Sequence, residues 1–345
     1  SWNTESSVVK PLEKIVGIAR ARPCRIVLSE AEDPRVVEGA VRAARDGIAH
    51  VTLVGQREVI EDHLRQEGPA SAPIQIEDPA TSERTGAYAA AYHQLRRNRG
   101  VDQAEAIRAV QHSLGFSAMM VRLGDADGSV GGAVATTADT VRTALQIIGL
   151  APGSALVSSF FLMMLCEPHH QKKGAFLFAD CGLVIEPDAA QLTEIALASA
   201  RSYEALLGER ARVAMLSFST GGSSAHARVT KVVEATQRAR TADPMLAIDG
   251  ELQFDAAFIE AIGKSKAPHS AIGGAANVFI FPNLEAANIG YKIAQRIGGA
   301  QAIGPILQGL AKPANDLSRG CSADDVYHAI AVTSVQAGSI TGSKR

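Results

Sequence analysis

Short apolar runs alternate along this chain with longer stretches whose apolar positions recur every three or four residues. Arg25-Ile26-Val27-Leu28 has strand character. Pro34 then suits the first turn of a helix, and Val36, Val37, Ala40, Val41 and Ala44 recur at helical spacing. His50 to Val54 reads as the next strand, and Glu58 to Leu64 as part of the next helix. This alternation predicts parallel sheets with helices on both faces. A helix-rich stretch follows from about Ser82 to Ser113, broken at Arg99-Gly100, where Gly100 suits the position just past a helix end. Thr140 to Ile148 is a further helix, stopped by Gly149 and by Pro152-Gly153.

The alternation then resumes. Leu156 to Leu165 and Phe176-Leu177-Phe178 are predicted strands, separated by a polar loop carrying His169, His170, Lys172 and Lys173. Gln191 to Leu207 is a helix, Val213 to Ser217 a strand, and Ala225 to Ala239 a helix beyond the Gly221-Gly222 loop. Leu246-Ala247-Ile248 and Val278 to Phe281 read as buried strands; Pro282 ends the latter, and a helix from Leu284 to Ile297 follows. Ile306-Leu307 is one more strand, and Asp324 to Gln336 the last helix. The fold class is α/β. At 345 residues the chain exceeds one ordinary core, so two domains are expected, with a boundary near Pro152-Gly153.

Composition narrows the function classes. With 46% hydrophobic and 20% charged residues the chain is globular rather than disordered. A net charge of −2 gives no global attraction to nucleic acid or membrane, so an anionic ligand needs a local cluster of arginine and lysine. Cys24, Cys166, Cys181 and Cys321 form no C-x-x-C pair and read as free thiols of a cytoplasmic protein. The first twenty residues lack the apolar run of a signal peptide, Ala155 to Cys166 is too short to span a bilayer as a helix, and Ser1 to Ser7 reads as a frayed end. No repeat of fixed period occurs.

The densest chemistry lies in Asn315-Asp316-Leu317-Ser318-Arg319-Gly320-Cys321-Ser322-Ala323-Asp324-Asp325. These eleven residues offer a hydroxyl, a guanidinium, a thiol and several carboxylates just before a predicted helix. Arg319 and the helix start favour an anion such as phosphate. Asp325 can accept a proton, and Ser318 can hydrogen-bond a developing negative oxygen. The set suits acyl transfer involving phosphate.

This motif resembles that of phosphotransacetylase, in the phosphate acetyl/butyryltransferase family. So do further blocks in the family's order: Met119 to Gly128, Thr136-Thr137-Ala138-Asp139-Thr140-Val141-Arg142, Phe178-Ala179-Asp180-Cys181, Val213 to Thr220, Asp249 to Ala257, Ala276 to Pro282, Asn288 to Lys292 and Gly304 to Leu310. The resemblance covers roughly Arg25 to the end. It implies two three-layer α/β/α domains with mainly parallel sheets and an interdomain cleft. The first is discontinuous, 1–150 plus 311–345; the second is 151–310. It also implies a homodimer and reversible acetyl transfer between acetyl phosphate and coenzyme A, giving acetyl-CoA and phosphate. Coenzyme A is a substrate there, and no organic cofactor or metal takes part. Two segments depart from the family pattern: Leu28-Ser29-Glu30-Ala31-Glu32-Asp33, and the loop from Glu167 to Gly174.

The resemblance also carries roles to positions. Asp325 matches the proposed base for the coenzyme A thiol, Ser318 a position that stabilises the transition state, and Arg319 a phosphate ligand. Arg142 matches another cleft arginine, and Arg96, within Leu95-Arg96-Arg97-Asn98-Arg99-Gly100, a basic position for coenzyme A. Plainer readings stand beside each. Ser322 to Asp325 fits a capping box; an aspartate of ordinary pKa about 4 is also a weak base for a thiol near 8–9. Ser318 fits an ordinary turn serine, Arg319 a surface salt bridge, and three arginines at a helix end simply complement its dipole. Arg142 rests on the match alone. Cys321 as an acyl-carrying nucleophile competes with a small buried residue. His169-His170 read as loop residues, not metal ligands. Gly263-Lys264-Ser265 resembles the end of a phosphate-binding loop, but Phe258 occupies the position of its first glycine. Rival readings are a non-catalytic acyl-CoA-sensing module, a phosphate butyryltransferase, and a dehydrogenase, although no G-x-G-x-x-G is present.

Overall fold

A computed structural model describes residues 10–68 and 73–342. The segment Ser1 to Ser7 lies outside them. The N-terminal half holds α1 (Pro11–Ala21), β1 (Cys24–Leu28), α2 (Pro34–Arg45), β2 (Ala49–Val54), α3 (Arg57–Glu67) and β3 (Gln75–Glu77). It continues with α4 (Arg84–Arg96), α5 (Gln103–Gln111), α6 (Ser113–Leu123), β4 (Gly128–Gly131) and α7 (Thr137–Ile147). Next come β5 (Ser158–Leu165), β6 (Gly174–Ala179), α8 (Ala189–Leu207), β7 (Arg212–Leu216), α9 (Ala227–Ala242) and β8 (Ala247–Leu252). The chain ends with α10 (Phe254–Phe258), α11 (Glu260–Lys266), β9 (Val278–Ile280), α12 (Leu284–Arg296), β10 (Gln301–Gln308), β11 (Ala314–Asp316) and α13 (Ala323–Gly342).

Two sheets result. One has the order β11-β4-β1-β2-β3 and is parallel throughout. The other runs β10-β5-β6-β9-β7-β8. Its β6-β9-β7-β8 portion is parallel, whereas β10–β5 and β5–β6 are antiparallel. The β5–β6 pair is antiparallel for a simple reason: the loop between these strands holds no helix, and parallel neighbours need a longer crossover. The mixed α/β class with two mainly parallel sheets is as expected. The C-terminal β11 lies beside β4, and α13 packs on the first sheet and against α2.

Local sequence explains the well-formed elements. Asp33 caps α2 by accepting from the Arg35 N–H at 2.9 Å, with Pro34 in the first turn. Asp188 and Gln191 form a reciprocal capping box at α8. One continuous apolar cluster runs from Ile26 and Val41 through Val326 and Ile330 to Leu177 and Val213, so α13 bridges both sheets. Trimming a side chain such as Ile330, which is fully buried, to alanine would cost about 2–5 kcal/mol.

Among the described residues, α1, β3, α6, β4 and β11 exceed what the apolar pattern predicted. Gly128-Ser129-Val130-Gly131 and Ala314-Asn315-Asp316 have little strand propensity; β4 is a strand because β1 and β11 pair with its backbone on either side, and β11 because β4 pairs with it at the sheet edge. The strand expected at Ile306-Leu307 is the end of the longer β10, and Gly263-Lys264-Ser265 lies inside the short α11.

Candidate active site

Asn315 anchors the motif where the two sheets meet. Its side-chain oxygen accepts from the Leu307 N–H on β10 at 2.9 Å, and its amide donates to Thr333 at 2.8 Å and Gln336 at 2.7 Å on α13. The bonds to Leu307 and Thr333 are buried and that to Gln336 partly so, and the start of the loop has little freedom. A cleft of about 330 Å³ opens beside it, between β5, β10 and α12 on one side and the β11–α13 loop on the other.

Ser318, Gly320, Cys321, Asp325 and His328 line the loop side of this cleft, with Asp316 behind them. Phe161, Tyr291, Gln295, Arg296 and the turn at Gly304-Pro305 form the opposite side. Phe161 and Tyr291 stack with ring centroids 4.1 Å apart, which gives that wall an aromatic surface.

The loop's hydrogen bonds favour chemistry at Ser318. Its Oγ accepts the Gly320 N–H at 3.1 Å, the turn bond expected of a serine here. That bond leaves the hydroxyl hydrogen available, and among the described residues nothing accepts it. Asp325 completes the capping box: its Oδ2 accepts from Ser322 N at 2.8 Å and Ser322 Oγ at 2.9 Å, while its own N–H donates to Ser322 Oγ at 3.2 Å. Among the described residues its second oxygen accepts no such bond. Both readings of Asp325 thus coexist in one side chain. Its neighbour Asp324 pairs with Arg42 instead.

Arg319 lies between two cleft residues but does not line the cavity itself. Its side chain is exposed, and among the described residues it has no ion-pair partner. Its backbone is held from α2: Arg35 Nη1 donates to the carbonyls of Arg319 at 2.9 Å and Cys321 at 2.8 Å. Asp33 grips the other edge of the same guanidinium at 2.7 Å, and this bond holds the Asp33 carboxyl below the usual range.

The remaining candidates lie further out. Arg142 is exposed on α7 and pairs with Asp139 at 2.8 Å. Arg96 ends α4, with its Nε buried and lacking a hydrogen-bond partner among the described residues. Neither lines the cleft. Cys321 is packed into the core, and burial pushes its thiol pKa up, which disfavours a thiolate nucleophile. Cys24, Cys166, Cys181 and Cys321 are all free thiols. His169 and His170 both bond the Gly298 carbonyl, at 2.9 and 2.7 Å, so they tie the β5–β6 loop to the end of α12.

Three cleft residues escaped sequence reasoning. Asp316 is 4% exposed. Burial, helped by the Glu30 charge, raises its carboxyl to about 6, against the opposing hydroxyls of Thr137 and Thr140. Thr137 Oγ1 donates to one carboxyl oxygen at 2.6 Å, and the other has no partner among the described residues. Gly132 makes this packing possible: at φ +94°, a Cβ there would fall 2.1 Å from Asp316 Oδ1. Glu30 braces the same turn by accepting from Gly132 N at 2.8 Å and Ala135 N at 2.6 Å. Thus one departure from the family pattern, at Glu30, has a structural role. Arg296 and His328 fall inside predicted helices with no motif to mark them; only packing brings them to the cleft.

Comparison with known proteins defines the class. Residues 11–334 match the phosphate acetyl/butaryl transferase family. The chain is 51% identical over 328 residues to a phosphate acetyltransferase of Paracoccus denitrificans, covering 95% of this chain and 99% of the relative. It is 46% identical to a phosphate acetyltransferase of Acetivibrio thermocellus over 94% of this chain and 98% of the relative. A solved phosphotransacetylase from Streptococcus pyogenes superposes with a TM-score of 0.88 at 41% identity, covering 95% of this chain and 99% of that one. The chain belongs to the phosphate acetyl/butaryl transferase family, and it is an acyltransferase. No helix among the described residues is long and apolar enough to cross a membrane.

Proposed function

We propose that this protein is a phosphate acetyltransferase that moves an acetyl group reversibly between acetyl phosphate and coenzyme A by direct attack in a ternary complex. The observation that carries the reading is the opening of Ser318 and Asp325 on one cleft, in a loop whose intervening residue, Arg319, has no anionic partner among the described residues. Coenzyme A would enter between the two sheets with its thiol directed at the loop. Asp325 promotes loss of the thiol proton, and the sulfur attacks the acetyl carbonyl. The Ser318 hydroxyl donates to the oxyanion that forms. Arg319 takes the phosphate, since a guanidinium can hold two of its oxygens as it departs. Arg296 supplies a second cation from the facing wall. Arg142 and Arg96 are assigned to the longer phosphate-bearing part of coenzyme A; the buried Arg96 Nε, without a partner among the described residues, supports an anionic ligand there. The chemistry needs no resident metal or organic cofactor, and the free cysteines suit a cytoplasmic setting.

The same reading includes a homodimer. Only Ala287 is buried on α12, while Ile289, Ile293 and Ile297, spaced four apart, are 59%, 53% and 83% exposed. An uncovered apolar stripe of this kind suits burial against a second copy. It lies on the opposite side of α12 from Tyr291 and Gln295, which serve the cleft.

A thioester-absorbance assay with acetyl, propionyl and butyryl phosphates, each with coenzyme A, tests the proposal. Formation of acetyl-CoA, fastest with the acetyl donor, is expected. Faster turnover of butyryl phosphate would make this a phosphate butyryltransferase. Tight acetyl-CoA binding without phosphate- or arsenate-dependent turnover would make it a sensing module. Thermal stabilisation by NAD but not by coenzyme A would favour a dehydrogenase.

A further inference from the structure

His328 sits on α13 three residues beyond Asp325, so the two side chains are neighbours on one helix face. Both line the cleft. The imidazole stacks edge-on against Tyr327, with centroids 5.7 Å apart, but among the described residues neither ring nitrogen has a hydrogen-bond partner. A half-buried histidine with free nitrogens, open to the space where a thiol must lose its proton, needs an explanation. Asp325 has one oxygen already engaged by Ser322, through both its N–H and its hydroxyl. As residue types, an imidazole lies nearer a thiol in pKa than a carboxyl does, by about two to three units.

We propose that His328 is a further catalytic residue of this site, receiving the coenzyme A thiol proton while the adjacent Asp325 carboxylate stabilises the imidazolium. The inference rests on the phosphate acetyltransferase reading and refines Asp325 from terminal acceptor to partner. The S–H bond breaks as an N–H bond forms on His328. The sulfur electron pair makes the S–C bond to the acetyl carbonyl, and the C–O bond to phosphate breaks with its pair leaving on oxygen. The imidazolium then returns its proton to the departing phosphate, so the products are acetyl-CoA and hydrogen phosphate and the histidine is neutral again.

The surroundings keep the histidine ready for this task. Burial lowers its pKa, which favours the neutral ring that can accept a proton; Arg42 on α2 acts in the same direction. Asp324 and Asp325 on its own helix oppose them and stabilise the charged form once it is made. The loop contributes Cys321, β11 contributes Asp316, and α12 contributes Tyr291 and Arg296 to the same cavity. Of these, Asp316 also titrates in the acid range, so it is the necessary control.

The test is the pH dependence of kcat for acetyl-CoA formation in the full-length protein, His328→Gln and Asp316→Asn. The unmodified enzyme should lose activity below an apparent pKa at or under about 6.5. His328→Gln should lower kcat about 10²-fold and abolish that acid limb while retaining a cooperative melt. Asp316→Asn should retain the limb. A His328→Gln variant with kcat within about twofold of the parent, or with the limb intact, overturns the proposal; so does loss of the limb in Asp316→Asn alone. Should the glutamine variant not fold, the unmodified enzyme still decides: kcat independent of pH between about 5 and 8 excludes an imidazole acceptor. Absence of acetyl-CoA formation by the unmodified enzyme would instead overturn the phosphate acetyltransferase reading itself.

Discussion

The guanidinium of Arg35 donates to the main-chain carbonyl of Arg319 at 2.9 Å, across 284 residues of sequence. One side chain at the start of α2 therefore sets the backbone of the loop proposed to grip phosphate. It also reaches the carbonyls of Cys321 at 2.8 Å and Ala133 at 3.2 Å, while Asp33 holds it from behind. Arg35→Met should leave those carbonyls without their donor and cost about 1–3 kcal/mol of stability. It should also raise KM for acetyl phosphate and lower kcat about tenfold through a looser loop. Arg35→Lys should recover only part, because an ammonium lacks the planar fork that spans several acceptors. Unfolding curves and steady-state kinetics on the pair would expose the error if lysine restored both fully.

Ser318 and Asp325 separate catalysis from helix capping. Ser318→Ala should lower kcat by ~10²–10³-fold with little change in Tm, since the lost turn bond is exposed. Ser322→Ala removes the capping hydroxyl and should cost about 1 kcal/mol while keeping most of the activity. Asp325→Asn should show the reverse balance, with a large loss of kcat and a modest loss of stability. Equal kcat losses in Ser322→Ala and Asp325→Asn would reduce Asp325 to a cap.

Asp316 makes stability depend on pH in a defined direction. Its folded carboxyl is raised to about 6, whereas an unfolded aspartate ionises near 4. Below about pH 4 both states are protonated, and burial carries no charge penalty. As pH climbs from there to about 6 the unfolded chain releases its proton first, so stability falls; above about 6 the loss is complete, at roughly 3 kcal/mol. Asp316→Asn keeps an acceptor for Thr137 and removes the ionisation. Chemical denaturation at about pH 4.5 and 7.5 should therefore find the variant gaining on its parent at the higher pH. A difference that does not change with pH would refute the assignment.

The apolar stripe on α12 yields a prediction about assembly. Ile293→Asp with Ile297→Asp should convert a dimer to a monomer in light scattering coupled to size exclusion, because an unpaired charge would be buried at the contact. Neither isoleucine lines the cleft, so loss of association need not abolish turnover. A parent chain that is monomeric at micromolar concentration would remove the dimer from the proposal.

Local sequence by itself determined the strongly periodic elements, the mixed α/β class, the reactive Asn315–Asp325 segment and the family. Apolar spacing records which face of a helix or strand is buried, and Pro, Gly and cap residues act within a few positions. The capping box at Ser322 and the turn at Ser318 were legible for that reason. Tertiary structure alone made strands of Gly128–Gly131 and Ala314–Asp316, whose pairing comes from neighbouring backbones rather than their own side chains. It also decided that Arg35 holds the loop, that Asp316 is sealed beneath Gly132, and that Arg296 and His328 face the cleft while Arg142 and Arg96 stand outside it. Those relationships depend on burial and on contacts between distant segments; no local pattern of residues encodes either.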